Sequence, residues 1–69
     1  MTTGIIKFFN VQKGFGFVAP HDGSPDLFFH ASGLRDRTDE PNLDAGAAVE
    51  FTAELDRTGR PRAIDMVLT

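Results

Sequence analysis

The residue types and spacing best suited to chemistry lie in Lys13-Gly14-Phe15-Gly16-Phe17-Val18. In an extended strand, side chains two apart share a face, so Phe15 and Phe17 stand side by side while Gly14, Gly16 and Val18 take the opposite face. Lys13 sets a cation at the rim of the two rings. Such a pair can stack a flat, electron-rich ligand. The same hexapeptide read alone fits equally well two core phenylalanines with glycines that make room for packing. Bond-making chemistry finds less support. The carboxylates scatter through loops with no paired set, and Ser24 and Ser32 have no evident base. His21 sits in a turn, as a solvated residue. Residues 14–19 formally fit a dinucleotide fingerprint, but Pro20 follows where a helix is required. No catalytic residue is expected, and no enzyme.

Sixty-nine residues make one small domain, expected to span 1–69, and a chain this short buries only about 60% of its unfolded surface. Every large apolar side chain therefore counts. The hydrophobic fraction of 41% and the charged fraction of 25% are those of a folded globular domain rather than a disordered tail. Without cysteine there is no disulfide framework or thiolate site, and two histidines are too few for a zinc cluster, so neither a metal nor a cofactor is expected. The first residues lack a basic leader, and no segment approaches the ~20 apolar residues that span a bilayer. The expectation is a cytoplasmic protein without membrane contact.

A net charge of -3 counts against a purely electrostatic nucleic-acid binder. The charge is unevenly spread, however: Lys7 and Lys13 lie beside the phenylalanines, while Asp36, Asp39, Glu40, Asp44, Glu50 and Glu54 lie elsewhere. The chain has seven Phe with neither Trp nor Tyr, and Phe8, Phe9, Phe15, Phe17 and Phe28 all fall within its first 28 residues. That clustering calls for a reason.

The elements that must position these rings read as short strands. Residues 3–10 form the first, with Ile5-Ile6 and Phe8-Phe9 breaking strict alternation, so it is either buried on both faces or bulged. Val11 and Gln12 connect it to a second strand over 13–19, ended by Pro20. His21-Asp22-Gly23-Ser24-Pro25 is a dense turn signal. A third strand, 26–30, points Leu27 and Phe29 one way and Phe28 and His30 the other. By elimination, Phe28 and His30 join the face of Phe15 and Phe17. Residues 31–34 suit one helical turn, with Leu34 plugging the core, and 35–42 read as a mobile polar loop. A fourth strand over 48–55 alternates Val49, Phe51, Ala53 and Leu55 with polar residues. Asp56 to Pro61 is a basic loop, and a fifth strand runs over 62–68 with Ile64 and Met66 on one side.

Five short strands separated by Gly, Pro and Asp loops predict an all-β domain, and closing so small a sheet into a five-stranded antiparallel Greek-key barrel removes its exposed edges. The interior of such a barrel is filled by Ile6, Val18, Leu27, Phe29, Leu34, Val49, Phe51, Leu55, Ile64, Met66 and Leu68. Phe8, Phe15, Phe17 and Phe28 are then surplus to the core and form one patch on strands one to three. A rimmed aromatic patch marks a binding surface. Rings flanked by cations suit single-stranded nucleic acid, because every base has a π-face and stacking contributes about 1–3 kcal/mol per base.

With these residues in place, a family resemblance is evident. Lys13-Gly14-Phe15-Gly16-Phe17-Val18 resembles the first ribonucleoprotein motif and Leu27-Phe28-Phe29-His30 the second, in the order and spacing of cold-shock domain proteins. Lys7-Phe8-Phe9-Asn10 is similar to that family's Lys-Trp-Phe-Asn, and Leu43, Gly46, Val49, Phe51, Gly59, Pro61 and Ala63 match its later strands. RNA recognition motif domains carry related signatures in the opposite order, with two helices between them. The resemblance implies an oligonucleotide-binding-type (OB-fold) barrel that binds single-stranded RNA and DNA and acts as an RNA chaperone, often under cold stress. It further implies stacking at Phe8, Phe15, Phe17, Phe28 and His30, basic contacts from Lys7 and Lys13, Phe9 at the patch edge, and Arg57 approaching from its loop. A monomer is the expected state, with a dimer as the alternative.

The chain departs from the family pattern at three places. Phe8 replaces the usual Trp, Ala31 stands where many members have an aromatic residue, and Asp65 replaces the usual Asn, bringing a carboxylate that repels phosphate if exposed. Each lost stack weakens binding roughly 5-fold to 150-fold. The rival reading is a protein-interaction module that docks an apolar partner on the same face.

Overall fold

A computed structural model describes residues 2–69, apart from the side chains of Arg37, Asp39 and Glu40. Five strands form: β1 (Thr2–Asn10), β2 (Phe15–Pro20), β3 (Leu27–His30), β4 (Ala48–Leu55) and β5 (Pro61–Leu68). They close into a barrel in the order β1-β2-β3-β5-β4, the small all-β OB-type architecture expected from the sequence. β1 is the shared strand, antiparallel to both β2 and β4, and β2–β3 and β4–β5 are antiparallel as well. The remaining seam, β3–β5, is parallel and rests on the single pair Phe28–Arg62, continued by a bridge between Leu34 and Met66.

Two bulges decide which side chains face inward. In β1 the register to β2 shifts between Ile6 and Phe8, leaving Lys7 as an extra residue. The broken alternation in the sequence is thus a bulge. Ile6 is buried, and beyond the bulge Phe8 turns outward and Phe9 inward. In β5, Asp65 and Met66 together oppose the single residue Phe51 of β4. Asp65 takes up the bend with φ of 53°, a conformation that Asp and Asn tolerate better than most residues.

The second bulge alters the expected core. Ala63 and Met66 point inward, three positions apart, instead of Ile64 and Met66; Ile64 is only half-buried. Leu55 also departs from expectation. At 66% exposed it lies at the end of β4, where it pairs with Pro61 of β5 but is four residues past Phe51, which pairs with Thr2 of β1. Leu68 is half-buried and packs against the core. The other expected members, Ile6, Val18, Leu27, Phe29, Leu34, Val49, Phe51 and Met66, are buried, joined by Ala31, Leu43 and Ala63. Phe29 and Phe51 are the bulkiest of these, and truncation of a buried Phe to Ala costs about 3–5 kcal/mol.

The connections are tighter than the sequence suggested. Lys13 and Gly14 belong to the β1–β2 turn, where Asn10 Oδ1 accepts the Lys13 N–H at 3.1 Å and the Asn10 carbonyl accepts the Gly14 N–H at 2.7 Å. Gly14 has φ of 72°, which a residue with a side chain rarely adopts. Ala31–Gly33 is a short 3-10 helix, as one helical turn predicted. Residues 35–42, read as a polar loop, contain a second 3-10 helix over Arg37–Asn42. Asp36 Oδ1 opens it by accepting the Thr38 N–H and hydroxyl at 3.0 and 2.7 Å.

Candidate nucleic-acid interface

The outer surface of β1, β2 and β3 carries four phenylalanines in a closed circuit. Phe8 lies 5.5 Å from Phe17 and 6.0 Å from Phe15, centroid to centroid. Phe28 completes the ring at 5.7 Å from Phe15 and 5.9 Å from Phe17. These spacings lie within the range where aromatic pairs attract beyond simple burial. The circuit follows from register: Phe8 pairs with Phe17, and Phe17 with Phe28. Phe8 and Phe28 are 42% and 39% exposed, while Phe15 and Phe17 are half-buried between them.

Gly16 makes this arrangement possible. It lies opposite Phe9 in the register and faces inward. A Cβ there would run into the backbone carbonyl of Phe8 and approach Phe29 Cζ to 2.9 Å. The bulged β1 backbone needs that space. Phe9 consequently does not join the circuit. It packs half-buried against the core, its ring stacked on Phe29 at 5.8 Å and 10°.

The polar rim is built from several elements. Lys7 is exposed at the β1 bulge, and Lys13 is exposed on the turn whose backbone Asn10 holds. His30 pairs with Phe15 across β2–β3 and caps the following 3-10 helix. Its Nδ1 accepts the Ser32 N–H at 3.1 Å and lies 3.0 Å from the Ser32 hydroxyl. One edge is therefore fixed by Ser32, leaving the ring oriented on the exposed surface.

The β4–β5 loop forms a wall beside the circuit. A groove of about 640 Å³ between them is lined by Phe17, Phe28, Asp26, Asp56, Thr58, Arg60 and Pro61. Asp56 organises the loop: its Oδ1 accepts from the Thr58 N–H, the Thr58 hydroxyl and the Arg60 N–H at 2.8, 2.6 and 3.0 Å. These bonds, the Thr58 hydroxyl first among them, hold the Asp56 carboxyl below its ordinary value of 3.8. Arg57 is exposed on the same loop but does not line the groove. Arg60 does, and so does Asp26; sequence reasoning passed over both. The available signal was the Asp56-x-Thr58-Gly59 pattern of a self-capped turn, which fixes where Arg60 emerges.

Electrostatics separate the two sides of the molecule. Arg62 bonds Glu54 at 3.1 Å, and Arg35 grips both carboxylate oxygens of Asp65 at 2.9 and 3.0 Å. The Arg35 guanidinium holds the Asp65 carboxyl below 3.8. Asp65 is thus exposed, as its replacement of Asn made a concern, but its charge is matched by a cation. Among the described residues, Lys7, Lys13, Arg57 and Arg60 have no ion-pair partner. The uncompensated positive charge lies on the turn, bulge and loop that flank the rings. Ala31 is buried at 2% exposure, with its N–H on the Gly14 carbonyl, so in this chain that position serves the core. No group of three or more potential metal ligands is found among the described residues, and no helix among them is long and apolar enough to cross a membrane.

A closed five-stranded barrel with an aromatic outer face places the chain among OB-type barrels. The sequence profile described as the 'Cold-shock' DNA-binding domain matches residues 2–69. Over 65 residues the chain is 45% identical to cold shock-like protein CspB of Yersinia pestis, covering 94% of this chain and 90% of that protein. It is 40% identical over 67 residues to cold shock-like protein CspB of Escherichia coli (strain K12), covering 97% and 92%. Cold shock domain-containing protein 4 of Arabidopsis thaliana is 48% identical over 63 residues, which are 91% of this chain and 31% of that protein. The chain therefore spans about a third of the length of the plant relative. The chain belongs to the cold-shock domain family, a family of nucleic-acid-binding proteins.

Proposed function

We propose that this chain, as a single domain over residues 1–69, binds single-stranded RNA and DNA by stacking bases on Phe8, Phe15, Phe17 and Phe28, and that it acts as an RNA chaperone. His30 offers a fifth flat surface at the rim. Lys7, Lys13 and Arg57 meet phosphates, and Phe9 supports the patch from its edge. The observation that carries this reading is the closed circuit of four outward phenylalanines, flanked by cations that no acidic side chain among the described residues neutralises. A patch that existed only for packing would not need a backbone bulge to turn Phe8 away from the core.

A protein that binds unpaired strands and not duplexes draws a hairpin equilibrium toward its open form by mass action. No ATP and no bond-making group is required. Stacking reads flatness, so binding tolerates most sequences. The protein works as a monomer in the cytoplasm in this reading, and its stacking surface is smaller than that of relatives with Trp at the Phe8 position.

Fluorescence anisotropy of a labelled oligothymidine, a hairpin and a duplex tests the proposal, since the chain has no Trp or Tyr whose emission could be followed. The single strand is expected to bind in preference to the duplex, with a log-log salt slope near -0.7 per phosphate contacted. Phe15→Ala/Phe17→Ala should abolish binding while the circular dichroism of the fold persists. Absence of binding at low salt, or binding indifferent to both salt and the double substitution, would turn attention to an apolar protein partner on the same face.

A further inference from the structure

All five strands end around one mouth of the barrel. Their pairing gathers the starts of β1, β3 and β5 there with the ends of β2 and β4, and the strands stop at different heights: β1 follows β4 only to the Thr2–Phe51 pair, while β5 follows it on to Leu55. The mouth holds a cavity of about 300 Å³. Its floor is Leu27 and Phe51, both buried, and its walls include Pro20, Pro25 and Pro61, three of the chain's four prolines. Such mouths are among the places where barrels hold small ligands. The cavity shares only Asp26 and Pro61 with the groove beside Phe17 and Phe28.

The lining accepts hydrogen bonds more than it donates them. A proline carries no N–H, and the Ser24 N–H is taken by Asp22 Oδ1 at 2.9 Å. Among the described residues no Lys or Arg lines the cavity, whereas two exposed carboxylates, Asp22 and Asp26, stand at its rim. Hydrogen bonds from the Ser24 side chain and N–H hold the Asp22 carboxyl below its ordinary value of 3.8, so it is charged at neutral pH. Asp26 makes no hydrogen bond or ion pair among the described residues. An anion is therefore repelled, the phosphates of a strand included. Stacking has no purchase either, because Phe51, the one aromatic residue of the lining, is fully buried in the floor. A cation with an aliphatic body satisfies both parts of the site. The body displaces water from the proline walls, and an ammonium head brings three donors to the carboxylates.

We infer that the barrel mouth is a binding site for small organic cations, with an ammonium group held at Asp22 and Asp26 and a saturated apolar body seated between the prolines. The volume lies at the lower end of small-molecule sites, which limits the body to one compact ring or a short chain. The inference is independent of the stacking reading above.

The test titrates nitrogen-15-labelled protein with cyclohexylmethylamine and follows amide chemical shifts. Shifts are expected at Asp22, Ser24, Asp26, Leu27 and Ala53, with a dissociation constant of order millimolar. Cyclohexylacetate, which carries the same ring on an anion, and methylamine, which lacks the ring, should each leave these amides unmoved. Asp22→Asn and Asp26→Asn, which keep the shape of the rim, should each weaken binding roughly 2-fold to 5-fold. Ala53→Leu, confirmed as folded by the same spectra, should fill the cavity and abolish binding. No shift with cyclohexylmethylamine overturns the site. Equal binding of cyclohexylacetate overturns the selection of cations, and equal binding of methylamine shows a surface charge effect that needs no cavity. Undiminished binding to Ala53→Leu, or shifts centred on Phe15 and Phe17, overturns the location.

Discussion

The two bulged strands, β1 and β5, use the same backbone device for opposite ends. In β1 the extra residue is Lys7, and its effect is to send Phe8 out of the core and into the ring circuit. In β5 the bulge lies at Asp65, and its effect is to bring Ala63 and Met66 into the core together. The first bulge adds apolar surface to the exterior, and the second brings two side chains three positions apart into the interior. Their charges differ accordingly. Lys7 has no partner among the described residues, whereas Asp65 is held by Arg35 on both oxygens. In the proposed function, a cation left unneutralised beside exposed rings serves recognition, while a charge matched across two elements serves architecture.

The sharpest way to break this contrast is at Gly16, on which the β1 bulge depends. Gly16→Ala drives a methyl into the Phe8 carbonyl and the Phe29 ring, and overpacking of that kind should lower the urea unfolding free energy by about 3 kcal/mol. Strand affinity at a temperature where the variant is still folded should fall with it, because the same shift displaces Phe8.

Phe8→Ala separates recognition from architecture. Phe8 is 42% exposed, so stability should change by less than about 1 kcal/mol, while single-strand affinity should drop roughly 5-fold to 150-fold for one lost stack. Phe8→Trp should move affinity the other way. Equal losses in stability and binding would place Phe8 in the core rather than on the binding face.

On the β5 side the contrast predicts stability effects without binding effects. Asp65→Ala removes the Arg35 pair and puts a methyl-bearing residue at φ of 53°; Asp65→Gly removes only the pair. The thermal midpoint should fall more for Ala than for Gly, and oligothymidine affinity should hold in both. The smallest effect is expected from pH. Asp22, Asp36, Asp56 and Asp65 all have carboxyls held below 3.8, in each case first by a side-chain hydrogen bond. Groups depressed in the folded state contribute stability that is complete above the unfolded value and lost as pH falls through the folded values. Thermal midpoints should therefore decline below about pH 4, with a shallower decline in Asp56→Asn.

The same contrast explains what was legible in the sequence. Strand positions, barrel closure and the outward placing of Phe15, Phe17 and Phe28 followed from turn residues and period-two alternation, and the observed bounds differ from the expected ones by at most two residues. Ile64 and Leu55 were misassigned for physical reasons. A bulge reverses the period from one residue to the next, and the sequence of β5 gives no sign of where Asp65 bends. Leu55 keeps the alternation of β4 but sits four residues past Phe51, which pairs with Thr2 of β1, and is 66% exposed. Phe9 next to Phe8 was ambiguous for the same reason, resolved only when Lys7 proved to be the extra residue. The groove was hidden because its walls, Asp26 and Arg60, are far apart in sequence and belong to loops whose approach depends on barrel closure.

That closure has its own consequence for motion. The β3–β5 seam joins residues more than thirty positions apart through little more than Phe28–Arg62 and Leu34–Met66. Local opening concentrates where pairing is sparse, so amide deuterium uptake should start along this seam, well before β1 and β2 exchange. Phe28 stands on one lip of it, and a base seated on that ring would clasp the lip shut, slowing deuterium uptake at a seam no nucleotide needs to cross.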